Sequence, residues 1–182
     1  MLGMKAIPAE VTYEEGIYVG YRYFNTFNVK PAYPFGYGLS YTSFSYSNLS
    51  LSSKQLNGKI TASITIQNTG KSAGKEVVQL YITAPGKSMD KPAAELKAFA
   101  KTKLLAPGEK QVLKFELSAA DLASFDRIRS VWVAEPGEYQ VKLGASSLNI
   151  LQTARFSLAK EVITEKCNKV MLPVVPVQEL AR

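Results

Sequence analysis

The chain of 182 residues is 46% hydrophobic and 20% charged, with one cysteine, no histidine and a net charge of +7. That is enough apolar material for one domain with a core, plus tails. A lone Cys167 cannot close an internal disulfide, no Cys/His cluster for zinc is available, and no apolar run approaches the roughly 20 residues that cross a bilayer. Lys and Arg are scattered singly and form neither a block nor a helical stripe, which argues against a nucleic-acid surface. The start, Met1 to Met4, lacks the basic and apolar regions of a signal peptide.

Residues 1–11 show no periodicity and are expected to be a frayed lead-in. From Tyr13 to Tyr41 follows a connector dense in aromatics and glycine: Tyr18, Tyr21, Tyr23, Phe24, Phe35, Tyr37 and Tyr41 carry large apolar areas that need a partner surface. Pro31 and Pro34 favour extended chain over helix here. The segment is expected either to fold back on the rest of the chain or to move freely.

Past Thr42 the pattern becomes short strands. Phe44 to Leu51 alternates apolar and polar residues, and in 59–67 Ile60, Ala62, Ile64 and Ile66 point one way while Thr61, Ser63, Thr65 and Gln67 point the other. A turn-forming run at 68–74 feeds a strand over 76–83 with Val78, Leu80 and Ile82 on one face. Residues 84–92 read as a loop long enough to project from the domain edge, so removal of Ser88 to Lys91 is expected to leave the melting of the isolated fold unchanged. Strands are predicted over 94–105 and, after the Pro107-Gly108 turn, 111–117. Ser118 with Asp121 three positions on marks a single capped helical turn. Val131 to Val133 and 138–144 are expected to pair through a tight turn at Glu135-Pro136-Gly137, and 148–158 supplies a last strand. The apolar, proline-broken tail is expected to add an edge strand or lie across the connector.

Seven or so short strands with turns between them and almost no helix predict an all-β, antiparallel two-sheet sandwich with an extended N-terminal connector. The motifs EGIYVGYRYF, PAYPFGYGLSYTSF, ELKAF, LAPGE and EPGEYQV, ending at Gly144 to Ser147, resemble the C-terminal part of family 3 glycoside hydrolases, β-glucosidases and β-xylosidases, where an α/β sandwich domain hands over to a fibronectin type III-like domain. The resemblance implies a division into a connector (1–41), an immunoglobulin/fibronectin III-like sandwich (42–158) and a tail (159–182). It also implies a periplasmic or secreted location, and places the nucleophilic aspartate and the acid/base glutamate in domains other than this one.

Glycoside hydrolysis of the usual kind requires two carboxyl groups flanking the scissile bond. The aspartates Asp90, Asp121 and Asp126 sit in a loop, at a helix start and at a turn, each with a surface explanation, and adjacent Glu14 and Glu15 face opposite sides of an extended chain. No catalytic, cofactor or metal residue is therefore assigned. The connector residues Tyr18, Tyr21, Arg22, Tyr23, Phe24, Phe35 and Tyr37 are expected to contact the catalytic domains of a longer parent polypeptide. Two alternatives remain: binding of β-linked oligosaccharide through exposed aromatics, and homo-oligomerisation through the connector. Trp132 is expected between the sheets or covering one of them, and Asn48-Leu49-Ser50 is formally a glycosylation sequon.

Overall fold

The structure is a computed structural model that describes residues 13–170 and 176–181. Its strands follow from the two-residue alternation. In β2 (Lys59–Asn68), Ile60, Ala62, Ile64 and Ile66 are fully buried while the residues between them are half-exposed. β2 lies between β1 (Phe44–Leu51) and β5 (Lys110–Ser118), all antiparallel. The facing sheet has the order β4-β3-β8-β9, from β4 (Glu95–Lys101), β3 (Val77–Thr83), β8 (Gly137–Gly144) and β9 (Ile150–Leu158). Between the two sheets, Leu113, Phe115 and Leu117 of β5 meet Leu80, Val141, Leu143 and Phe156 in one hydrophobic core. These seven strands are the sandwich that the sequence predicts.

Three further strands form a small third sheet of order β10-β7-β6, from β6 (Ser124–Asp126), β7 (Val131–Ala134) and β10 (Val162–Lys166). A one-turn helix, α2 (Ala119–Leu122), leads into it, closed by the predicted capping box in which the Ser118 backbone N–H and hydroxyl both donate to Asp121 at 2.7 Å.

Two turns cross between sheets, one of them where a hairpin was expected. Glu135-Pro136-Gly137 is not a hairpin: β7 pairs with β6 and β10, whereas β8 pairs with β3 and β9, so the segment carries the chain from the small sheet to the four-stranded one. Likewise Pro107-Gly108, a tight turn closed by Glu109 N–H to the Ala106 carbonyl at 2.9 Å, delivers the chain from the sheet of β4 to that of β5. Pro-Gly chemistry specifies a change of direction, and strand partners are chosen by which apolar faces meet.

The connector is not extended throughout. A short helix, α1 (Tyr21–Thr26), interrupts it after Gly20, whose φ of 59° suits glycine. Pro31 and Pro34 lie beyond the last helical residue and restrict only the residues just before them, so they leave this turn untouched. Trp132 also departs from expectation: it stands 41% exposed on β7, 5.6 Å from the ring of its cross-strand neighbour Phe125, and neither sheet of the sandwich covers it. The tail supplies the expected edge strand as β10, and its later part reaches the connector, where Leu180 N–H donates to the Glu14 carbonyl at 2.7 Å. The lead-in 1–11 and part of the apolar tail, residues 171–175, lie outside the described residues.

Ile64 lies at the centre of the core and its removal leaves a cavity. Ile64→Ala is expected to lower unfolding free energy by about 2–5 kcal/mol, whereas Val112→Ala, at an exposed position on the neighbouring strand, should stay within about 0.5 kcal/mol. Urea titration of the two variants checks the contrast.

Candidate functional site

Alternation places Gln79 and Tyr81 of β3 on the outer face of the four-stranded sheet, yet both are buried. The connector covers them. Tyr21 of α1 packs edge-on to Tyr81 at 5.8 Å and stacks on Phe35 at 4.8 Å, and its hydroxyl accepts the Leu96 N–H at 2.8 Å. The Gln79 amide donates to the Ala145 carbonyl at 3.0 Å, and the Tyr81 hydroxyl donates to the Gln79 side-chain oxygen. Gly36 lies directly over Gln79, with φ 81°; any Cβ there would overlap the amide at 2.1 Å, so only glycine permits this approach. Burial pushes the Tyr81 phenol well above its ordinary range, with Tyr21 adding to the effect.

Polar contacts fix the connector between Arg22 and Phe35. Asn25 donates to the Ser147 carbonyl at 3.2 Å, Ser147 N–H to the Phe35 carbonyl at 2.9 Å, and Ala93 N–H to the Thr26 hydroxyl at 2.9 Å. Arg22 pairs with Glu95 of β4 at 3.0 Å. Of the residues singled out in the sequence, Tyr18 is turned inward and packs edge-on against Phe27 at 5.0 Å, while Tyr23 and Phe24 form a half-buried cluster with the same Phe27. Phe35 and Tyr37 face outward. The exposed apolar row continues through Tyr33, Leu39 and Tyr41, which are 72%, 89% and 101% exposed. The composition of that stretch signals it, but periodicity does not, because it belongs to no regular element.

A depression of about 240 Å³ opens between α1 and the 31–35 turn, walled by Tyr21, Phe24, Tyr33 and Phe35 and floored by Asn25 and Ser147.

The loop 84–92 does not project freely. Ser88 turns its N–H (2.8 Å) and its hydroxyl onto the Glu135 carboxylate, and Lys91 lies 3.6 Å from the other oxygen of that carboxylate, an ion pair longer than a hydrogen bond with both side chains at most 5% exposed. Burial lowers the Lys91 pKa and the Glu135 charge opposes that shift. The expectation that the loop could be deleted without affecting the fold is therefore corrected: deletion would leave Glu135 a buried charge without its partners. Tyr139, which donates to the Glu135 carbonyl at 2.7 Å, has its phenol pushed up to about 12 by burial.

The carboxylates considered for catalysis are dispersed. Glu14 and Glu15 are exposed, Asp90 accepts the Lys91 N–H at 3.0 Å, Asp121 caps α2, and Asp126 binds Arg129 at 2.6 Å. Among the described residues no group of three His, Cys, Asp or Glu could hold a metal ion. Asn48 is exposed at the β-bulge of β1 with φ 57°.

The architecture and the matched segment define the class: the fibronectin type III-like domain model matches residues 76–147. Over most of its length the chain is similar to the C-terminal part of family 3 β-glucosidases. It is 45% identical to β-glucosidase BoGH3A of Bacteroides ovatus over 79% of this chain and 19% of that protein, and 42% identical to thermostable β-glucosidase B of Acetivibrio thermocellus over 78% and 19%. A solved structure of β-glucosidase 3B from Thermotoga neapolitana in complex with α-D-glucose superposes with a TM-score of 0.80 at 52% identity, covering 85% of this chain and 21% of that one. The chain thus spans about one fifth of the length of these relatives.

Two predictions follow from the charges. Lys91→Met leaves the Glu135 carboxylate buried without its counter-ion and is expected to cost about 3–5 kcal/mol in chemical denaturation, while the double change with Glu135→Gln, which keeps an acceptor for Ser88, should cost clearly less. In the small sheet, Arg129 holds Glu161 through two bonds of 2.9 and 3.0 Å and Asp126 through a third, keeping both carboxyls below their ordinary pKa. Because the unfolded chain then binds more protons, this contribution is present above the ordinary carboxylate range and is lost as pH falls through it. Melting measured from about pH 6 down to about pH 3 should fall more steeply in the native chain than in Arg129→Met.

Proposed function

We propose that this chain is the non-catalytic accessory end of a longer glycoside hydrolase, divided into a connector (1–41), a sandwich (42–158) and a tail (159–182), and that it buttresses catalytic domains through the connector. The observation that carries this is the outward row Tyr33, Phe35, Tyr37, Leu39 and Tyr41, apolar and exposed on a segment whose inner side is already satisfied by the sheet. Contiguous exposed apolar area of this kind marks an interface. Tyr18, Tyr21, Arg22, Tyr23 and Phe24 then serve that contact from beneath, by holding the outer row in place. The parent would hydrolyse terminal β-glucosyl or β-xylosyl bonds with carboxylates carried in its other domains, as the β-glucosidases similar to this chain suggest. Self-association through the same row is a second reading, favoured by its aromatic content alone.

Leu39→Asp with Tyr41→Asp is the test, since both side chains are fully solvated in this chain. The pair should leave the melting of the 182-residue chain unchanged and lower the thermal midpoint of the parent enzyme by several degrees, about the shift that 1–2 kcal/mol produces in a domain. A parent enzyme with an unaltered midpoint rejects the docking role, and sedimentation of the native chain as a concentration-independent monomer rejects self-association. The 182-residue chain itself should release no p-nitrophenol from p-nitrophenyl β-D-glucoside.

A further inference from the structure

We propose that Asn57-Gly58 is a site of spontaneous covalent modification, where the folded chain turns an asparagine amide into aspartyl and isoaspartyl forms with water as the only co-reactant. We also propose that the isoaspartyl form loosens the entry to β2. Asn57 is the one asparagine in the chain that precedes glycine; the others precede Thr, Val, Leu, Ile or Lys. Both Asn57 and Gly58 are exposed. Gly58 carries no side chain, and nothing lies within 4 Å of the point where one would project. Its N–H donates no hydrogen bond to any described residue, while the Lys59 N–H donates to the Asn57 carbonyl at 3.1 Å and closes a three-residue turn around it. The nitrogen next to the Asn57 side chain is thus bare, solvated and unbonded.

The chemistry needs nothing else. Once hydroxide has taken its proton, the Gly58 nitrogen attacks Asn57 Cγ; the new N–Cγ bond closes a five-membered imide, the Cγ–Nδ2 bond breaks, and ammonia leaves. Water then opens the imide at one of its two carbonyls. Opening at Cγ gives aspartate on an ordinary backbone. Opening at the backbone carbonyl gives isoaspartate, in which the main chain runs through the former side chain and the old carbonyl becomes a free carboxylate. In sum an amide and water yield a carboxylate and ammonium, with no change of oxidation state. A side chain on the following residue crowds the attack, and a hydrogen-bonded asparagine amide is held away from it. Exposed Asn48 and Asn149 are followed by Leu49 and Ile150, and Asn68 is fully buried with its amide bonded to two carbonyls.

The two-residue link is short and anchored on both sides. Before it, Leu56 is buried in the core, its N–H donates to the Ser157 carbonyl at 2.8 Å, and the Ser157 N–H donates to the Lys54 carbonyl at 2.9 Å. After it, β2 begins at Lys59 and Ile60 is fully buried. An isoaspartyl residue adds one main-chain atom to this link and removes the carbonyl that Lys59 N–H uses, so Leu56 and Ile60 cannot both keep their places unstrained.

The test is incubation of the 182-residue chain at mildly alkaline pH, folded and in urea. Peptide mapping by mass spectrometry reads loss of the amide, and enzymatic methyl transfer from S-adenosylmethionine reads isoaspartate. The folded chain should lose the Asn57 amide nearly as fast as the unfolded one and in proportion to hydroxide, while Asn48 and Asn149 keep theirs; Asn57→Gln should abolish methyl acceptance. The aged chain should melt several degrees below the fresh one, whereas Asn57→Asp, which adds the charge on an ordinary backbone, should melt like the native chain. A folded chain that keeps Asn57 while the unfolded chain loses it overturns the modification site, as does equal loss at Asn48 or Asn149, or methyl acceptance that persists in Asn57→Gln. An aged chain that melts like the fresh one, or an Asn57→Asp chain that melts as low as the aged one, overturns the loosening of β2.

Discussion

The burial of the outer face of β3 is the constraint on which the arrangement depends. A strand at the middle of a sandwich sheet normally shows water every second side chain, but here Gln79 and Tyr81 are buried along with the core residue Leu80 between them. Large aromatic and amide groups in that position need both apolar cover and hydrogen-bond partners. The connector supplies both: the ring of Tyr21 lies edge-on to Tyr81 with Phe35 stacked on it, and Gly36 approaches Gln79 closely enough that a single methyl group would collide. The segment that precedes the sandwich in sequence is thereby a third layer of the fold.

Buried polar chemistry holds the remaining irregular segments in the same manner. Asn68 is fully buried at the end of β2, where its amide donates to the Ser72 and Leu105 carbonyls at 2.8 Å and its oxygen accepts from Thr42 at 2.6 Å and Gly70 at 3.0 Å. One side chain thus closes the 68–74 turn, ties it to the strand-to-strand crossing at Leu105 and anchors the connector exit. Glu135 does the equivalent for the 84–92 loop through Ser88 and Lys91. Such groups stabilise weakly when paired and destabilise strongly when orphaned, so they specify where loops lie more than they add to the total.

An accessory role fits this distribution of order. The carboxylates considered for catalysis are spread among caps, turns and exposed positions, while the concentration of exposed apolar surface lies along the connector. A layer that is bonded on its inner side and apolar on its outer side suits rigid contact with a neighbouring body, because its side chains are already positioned before contact and little conformational entropy remains to be lost.

The sequence by itself determined the seven sandwich strands, the capped turn at Ser118 and the all-β class, because a two-residue alternation and a capping box are local patterns that report directly on burial and hydrogen bonding. Its motifs likewise carried the likeness to the end of family 3 hydrolases. Tertiary structure alone decided that Glu135-Pro136-Gly137 crosses between sheets, that Trp132 faces solvent, that β10 returns to pair with β7, and that a helical turn at Tyr21 seats the connector on β3. Each of these depends on which distant surface offers cover or a partner, and that is a property of the folded arrangement which neighbouring residues in the chain do not encode.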